Sequence, residues 1–246
     1  MGGLFNVENP FWTFVGKLSD AMLLGAIWLL CCLTVVCAGP ATTALYYVTL
    51  KMVRNEENYV FKMFWKSFKE NFRQGAIIGV INLGLAVFIA YDLWFYYHQE
   101  TQMAPYLFML FLAFAFVWII GTMYIFAILA KFSNGIKAMY VSAYAMAARH
   151  FATTLICLAI MAACVTVVIF VPPLIVFIGG VYMFFTAFPL RKVMDIYTQK
   201  ILERQAAMAA LNGETSETDN TEETPASEPE EDVSDEDAPA EDEREE

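Results

Sequence analysis

Two polar residues within a long apolar stretch are the side chains most able to do chemistry in this sequence. Asp92 is the single charged residue inside the apolar stretches, and Asn82 lies deeper in the same stretch. A carboxylate in hydrocarbon is costly, so Asp92 either contacts a cation or substrate at a cavity mouth or lies at headgroup depth within an aromatic belt. A buried amide such as Asn82 seeks a hydrogen bond to another helix. We therefore take both as candidate polar intramembrane residues, with structural roles as the alternative.

The sequence contains none of the common catalytic or metal-binding patterns. Its two histidines, His98 and His150, are far apart, and its five cysteines all lie in apolar stretches. It has no H-E-x-x-H, C-x-x-C, G-x-S-x-G or phosphate-binding G-x-x-x-x-G-K-[ST] pattern. We therefore predict no catalytic residue, no metal site and no cofactor, and we interpret the cysteines as small packing residues.

These side chains must be positioned by long apolar segments. The chain is 59% hydrophobic, whereas soluble domains are about 45–50% apolar. A helix needs about 20 residues to cross a hydrocarbon core of about 30 Å. The stretches of that length are residues 21–38, 75–97, 105–130, 151–171 and 174–190. The sequence therefore predicts an all-α, polytopic membrane domain over residues 1–211 with about five transmembrane helices. Gly39-Pro40 is expected to stop the first of them.

The basic residues predict an orientation in the membrane. Thirteen of them lie in the connections after the first and third spans and after the last, and only Lys17 lies in the segments assigned to the other side. Because cytoplasmic connections carry the excess of Lys and Arg, the N-terminus is expected outside and the C-terminus inside. The alternative for the first span is a removed signal peptide, since residues 36–38 loosely resemble a cleavage site.

Two connections read as amphipathic helices, at residues 59–74 and 136–149. In the first, five aromatic residues recur at helical spacing. Basic residues recur at the same spacing, shifted by one position, and form a basic face beside the aromatic one. This basic face consists of Lys62, Lys66, Lys69 and Arg73. Neighbouring aromatic and basic stripes are typical of a helix in the membrane interface, so the bilayer, not nucleic acid, is the expected partner. The alternative is a helix packed against the ends of the spans, and both can hold. Because each amphipathic segment leads directly into a span, the pattern also suggests that the membrane domain consists of two structurally related halves.

The C-terminal segment, residues 212–246, differs from the rest in charge. It holds 17 of the 26 acidic residues and one of the 15 basic ones, which leaves residues 1–211 with a net charge of +5. Asn212-Gly213 is expected to end the last helix. Because the tail has one branched apolar residue, Val233, it cannot form a core, and we predict a disordered acidic tail. The tail serves either as a solubilising segment or as a docking site for basic partners.

Three motifs together carry a family resemblance. They are N-P-F-W at residues 9–12, G-P-A-T-T-A-L-Y-Y at 39–47 and F-W-K-S-F-K-E-N-F at 64–72. In this order the chain resembles the YesL family of bacterial membrane proteins, over roughly residues 5–200. In the second motif, Gly39 and Pro40 would stop the first span and Thr42 or Thr43 would cap the next helix. Tyr46 and Tyr47 would sit at interface depth.

The resemblance implies a multi-pass protein of the bacterial plasma membrane, commonly of Gram-positive organisms. Such proteins are often encoded beside carbohydrate uptake transporters and glycoside hydrolases, and no catalytic residues are established for the family. We therefore expect a non-enzymatic accessory or regulatory component associated with carbohydrate uptake, with a transporter permease or another membrane protein as partner. The alternative is a small transporter or channel, alone or as an oligomer. A membrane-embedded enzyme has no supporting constellation.

Overall fold

The computed structural model describes residues 10–56, 58–132 and 135–219. These residues form eight α-helices and one short 3-10 helix. The helices are α1 Pro10–Cys32, α2 Val35–Val53, α3 Val60–Glu70, α4 Phe72–Tyr97, α5 Ala104–Lys131, α6 Ile136–Arg149, α7 Phe151–Phe170 and α8 Ile175–Asp219, with Pro172–Leu174 forming the 3-10 helix between α7 and α8. Contacts divide the chain into two compact units, Met1–Thr198 and Gln199–Glu246.

The all-α membrane fold predicted from the sequence is confirmed. Five helical segments are long and apolar enough to cross a membrane, namely Phe11–Cys32, Phe72–Tyr97, Ala104–Lys131, Phe151–Phe170 and Pro172–Glu203. Many of their large apolar side chains point outward; Phe170, for example, is 80% exposed. An outward apolar surface on this scale is stable in lipid but not in water, since only hydrocarbon removes the cost of exposing it.

Helix α2 corrects the prediction that Gly39-Pro40 stops the first span. The chain turns earlier, at Leu33 and Thr34, and both Gly39 and Pro40 lie inside α2. The predicted span at 21–38 therefore straddles the turn between α1 and α2. Pro40 is the sixth residue of α2, where its missing N–H removes one helix hydrogen bond. Gly39 is required by packing: a Cβ there would lie 2.0 Å from the carbonyl oxygen of Gly75. Gly75 and Gly79 in α4 form the matching close contact.

Helices α1 and α2 form an antiparallel pair, and this corrects the predicted position of Lys17. The Lys17 ammonium donates to the carbonyl oxygen of Met52 at 2.7 Å, and the Trp28 indole donates to Thr42 Oγ1 at 3.0 Å. The beginning of α1 therefore lies beside the end of α2. Lys17 sits with the basic residues that follow α2, not on the opposite side from them.

The core of the first unit surrounds α2. Twelve of its 19 residues are buried, including Leu45, Tyr46 and Met52. The second half of α5 lies against it, with residues from Met123 to Ala130 buried. Helix α1 contacts α8 closely, since a Cβ on Gly180 would lie 1.8 Å from the carbonyl oxygen of Ala21. Helix α2 is therefore the most enclosed of these helices, although α1, α4, α5 and α7 are all more apolar.

The order of long helix, short helix and long helix occurs twice, in α2–α3–α4 and in α5–α6–α7. In both cases the short helix packs mainly against the helix before it. A single residue, Asn71 or His150, separates it from the helix after it. This order is compatible with the two related halves suggested by the amphipathic segments, which would then include α2, a helix that was not predicted as a span.

The end of α8 differs from the predicted boundary. Helix α8 continues past Asn212-Gly213 to Asp219, in the second compact unit. The prediction of a disordered acidic tail at 212–246 falls largely on residues 220–246, which lie outside the described residues.

Candidate functional site

The C-terminal end of α2 is contacted by cations from two other helices. Its last carbonyls lack partners within the helix and carry partial negative charge, so cations are favoured there. Lys17 of α1 donates to the carbonyl oxygen of Met52, and Arg191 of α8 donates to that of Val53 at 2.9 Å. These bonds fix the end of α2 against α1 and α8.

One acidic residue joins this group to α5. Asp195 of α8 forms an ion pair with Arg54, which follows α2, and a second with Lys131, whose Nζ lies 3.4 Å from Asp195 Oδ1. Lys131 also donates to the carbonyl oxygen of Met194 at 3.3 Å. Because one carboxylate faces two cations, the group remains positively charged. We call Lys51, Arg54, Lys131, Arg191, Asp195 and Glu56 the charged cluster.

A small cleft opens beside the charged cluster, between α2 and α5. Its volume is about 120 Å³. The lining residues are Tyr47, Leu50, Lys51, Arg54, Glu56, Ala130 and Lys131. The Lys51 ammonium lies 5.1 Å from the centre of the Tyr47 ring, in a cation–π contact. The cleft therefore has an apolar wall and a cationic rim.

Helix α3 has three distinct faces. Val60, Phe64 and Ser67 are buried against the core. The aromatic residues Phe61 and Trp65 are each 46% exposed. One face packs against the core, as the alternative reading predicted, while the aromatic face stays free, and the interfacial position stays a prediction. A helix with a free aromatic face beside a basic one suits the membrane interface.

The predicted basic face is exposed along its whole length. Lys62, Lys66 and Lys69 lie on α3, and Arg73 lies in the first turn of α4. Lys66 Nζ is 3.9 Å from the Glu70 carboxylate, a contact of little energetic weight because both side chains are more than half exposed. The face therefore keeps most of its positive charge available to an outside partner.

Asn82 joins three helices through hydrogen bonds. Its Nδ2 donates to Tyr140 of α6 at 3.0 Å and to the carbonyl oxygen of Ile78, and its Oδ1 accepts from Thr122 of α5 at 3.0 Å. Burial raises the pKa of Tyr140, and the bond from Asn82 offsets this only in part, so the phenol stays protonated at neutral pH. Asn82 is thus engaged inside the protein, as its structural alternative expected.

Asp92 is half-buried, ten residues further along α4. Its Oδ2 atom is shielded from solvent and has no hydrogen-bond partner within the described part of the chain. The neighbouring Trp94 and Tyr97 are 60% and 75% exposed, as in an aromatic belt. The structure does not bring Asp92 together with Asn82, whose partners lie in α5 and α6.

The motif residues of α2 have internal roles that differ from the predicted ones. Thr42 and Thr43 donate to the carbonyls of the preceding turn and do not cap a helix. Tyr46 is 2% exposed and interacts with Thr186 and Tyr182 of α8, so it belongs to the core and not to the interface. Tyr47 lines the cleft.

The charged cluster was not predicted from the sequence. Arg54 and Asp195 are separated by 141 positions, and no spacing rule links residues that meet only in the tertiary structure. The one available signal was Asp195 itself, which with Glu203 is one of two acids among the basic residues that follow the last span. Among the described residues no group of three or more His, Cys, Asp or Glu side chains could hold a metal ion.

Comparison with known proteins gives two matches. Residues 21–93 match the family described as "Protein of unknown function, DUF624". The chain is 26% identical over 177 residues to "Uncharacterized protein YesL" of Bacillus subtilis (strain 168). The aligned region covers 71% of this chain and 83% of that protein. No solved structure matches. The resemblance inferred from the three motifs is therefore confirmed as a similarity: residues 21–93 are similar to the DUF624 family, and most of the chain is similar to YesL.

Proposed function

We propose that this protein is a non-enzymatic membrane component that assists or regulates another membrane protein through its basic side. The observation that carries this proposal is the contrast between its two polar regions. Asn82, deep among the helices, is fully bonded within the protein, whereas the aromatic and basic faces of α3 are exposed. Its chemistry is thus presented at the membrane surface and not along a path through the helices.

The bilayer is the first partner that this surface would meet. Each basic side chain near an anionic leaflet contributes about 1 kcal/mol, and the exposed rings of Phe61 and Trp65 can enter the boundary between headgroups and acyl chains. Helix α3 would then lie in the interface beside the start of α4. The carbohydrate transporter permease remains the proposed protein partner, on the strength of the family resemblance alone.

We also propose a topology with both termini in the cytoplasm. Helix α2 has 19 residues, or about 28 Å at 1.5 Å per residue, which is enough to return across the bilayer. If α2 is a sixth crossing, Lys17 joins the other basic residues, and the single exception to the positive-inside pattern disappears. The bacterial plasma membrane is the proposed location, and the N-terminus is proposed inside instead of outside.

A transporter or channel is the second candidate, and Asp92 is the observation that favours it. A shielded carboxylate oxygen without a partner could accept a bond from a cation or from a substrate hydroxyl. Against this stands the apolar lining of two grooves that flank α7 and α8.

Purification from native membranes in a mild detergent tests the accessory role. We expect a transport permease or its ATPase to co-purify in a fixed ratio, and replacement of Lys62, Lys66 and Lys69 by Gln to lower that ratio. Vesicles that contain only this protein should show no substrate flux. Flux that is present in such vesicles and is lost in an Asp92→Asn variant would instead establish the transporter.

A further inference from the structure

We infer that the cleft between α2 and α5 binds the phosphate group of an anion, most readily that of an acidic phospholipid. This goes beyond the proposed accessory role, because it concerns a site inside the fold and not the surface of α3. The cleft volume of about 120 Å³ is large enough for a tetrahedral anion and too small for a whole lipid. Only a headgroup could therefore enter it.

The rim of the cleft has more positive than negative charge. Arg54 and Lys131 share the single carboxylate of Asp195. Lys51 forms no ion pair in the part of the chain that the structure describes, and its ammonium lies 5.1 Å from the centre of the Tyr47 ring. An entering anion would meet a free ammonium without displacing an existing ion pair.

Arg54 supplies an unused donor at the same place. Its guanidinium pairs with Asp195 through one terminal nitrogen, while its Nε is shielded and has no hydrogen-bond partner among the described residues. A buried donor without an acceptor is costly. A phosphate oxygen could supply that acceptor, and arginine suits this role because its guanidinium presents several N–H groups in one plane.

The surroundings favour a lipid over a soluble anion. Leu50, Ala130 and the Tyr47 ring form an apolar wall, and the cleft lies at the ends of α2 and α5, beside the basic connections. Basic pockets between transmembrane helices at the cytoplasmic side are typical sites for acidic headgroups. An acyl chain could pass outward along the apolar helices while its phosphate stays at the rim.

Glu56 opposes the anion and provides a diagnostic variant. It is exposed, lines the cleft and adds negative charge to the rim. Removing that charge should strengthen anion binding, whereas removing the charge of Lys51 should weaken it. A gain in affinity cannot arise from misfolding, so the pair of variants separates binding from stability.

The test is a titration of the full-length protein, in a neutral detergent, with a short-chain phosphatidylglycerol. Binding is measured as the shift in the thermal unfolding midpoint of the protein. Short-chain phosphatidylcholine and inorganic phosphate are the comparison ligands. We expect Lys51→Gln to weaken phosphatidylglycerol binding by about fivefold, as loss of one surface cation predicts. Glu56→Gln should strengthen it, and Lys137→Gln, an exposed lysine of α6 outside the cleft, should leave it unchanged.

Binding of phosphatidylglycerol without inorganic phosphate assigns the site to a lipid, and binding of both assigns it to phosphate groups in general. Either result supports the inference when the Lys51 and Glu56 variants move the affinity in opposite directions. An affinity that neither cleft variant changes, or equal binding of phosphatidylcholine, overturns it. Co-purification of a permease is a separate readout, so failure here leaves the proposed function untouched.

Discussion

Helices α2 and α7 have nearly the same length, 19 and 20 residues, but opposite surroundings. Twelve residues of α2 are buried, whereas in α7 only Thr154 and Cys157 are buried. Each helix contains three threonines, but α2 also contains Gly39, Pro40, Tyr46, Tyr47 and Lys51, whereas α7 has no glycine, proline, tyrosine or charged residue. An almost wholly apolar helix surface therefore indicates contact with lipid. A helix surrounded by protein can contain polar residues if their hydroxyl groups donate hydrogen bonds to its own backbone.

The largest expected difference between α2 and α7 concerns side-chain truncation. Leu45→Ala in α2 should destabilise the protein by about 2 kcal/mol or more, because Leu45 is fully buried and a cavity would remain. Ile169→Ala in α7 should have almost no effect, since that side chain is 71% exposed and lipid would fill the space. Thermal unfolding in detergent measures both. Equal destabilisation by the two variants would contradict the central position of α2.

A methyl group added at the glycine contact should have the next largest effect. Gly39→Ala places a Cβ against the backbone of α4, which cannot move aside, and should cost about 1–3 kcal/mol. Gly84→Ala is the matched control, because a Cβ there has no neighbour within 4 Å and alanine favours the helix. If the midpoint of Gly39→Ala stayed at or above that of Gly84→Ala, α2 and α4 would not be in contact at this point.

The smallest effect should come from the internal polar bonds. Tyr140→Phe removes one partner of Asn82 and should cost about 0.6 kcal/mol, the mean for hydrogen bonds between membrane helices. Tyr106→Phe removes a hydroxyl from a side chain that is 74% exposed and should cost nothing. The same unfolding assay compares them. A larger loss for Tyr106 would argue against the Asn82 network as a link between α4, α5 and α6.

The lipid-facing helices could be predicted from the sequence because hydropathy responds to their surroundings. Helix α7, at Phe151–Phe170, lies where the uncharged stretch 151–171 placed a span, and α4 and α5 lie similarly over 75–97 and 105–130. Helix α2 could not be found in this way, because burial by other helices relaxes the demand for apolar residues. Because α2 was not predicted as a span, Gly39-Pro40 was interpreted as a stop, and Lys17 was assigned to the side opposite the basic residues beside which the structure places it.

The candidate sites also differ in whether they could be predicted from the sequence. The aromatic and basic stripes of α3 follow from helical periodicity, so their residues could be named in advance, although Phe64 of the aromatic stripe packs into the core. The cleft depends on Arg54, Lys131 and Asp195, which come from three separate parts of the chain. Such a site forms only when the helices pack together, so no local sequence pattern predicts it.

The proposed return of α2 across the membrane is tested most directly at the turn between α1 and α2. In a variant without native cysteines, Leu33→Cys should react with a membrane-impermeant maleimide in intact cells, because Leu33 is 78% exposed and the turn would face outward. Glu56→Cys, beyond the other end of α2, should react only after permeabilisation. If Leu33→Cys required permeabilisation while Glu56→Cys did not, or if both required it, α2 would not cross the bilayer as proposed.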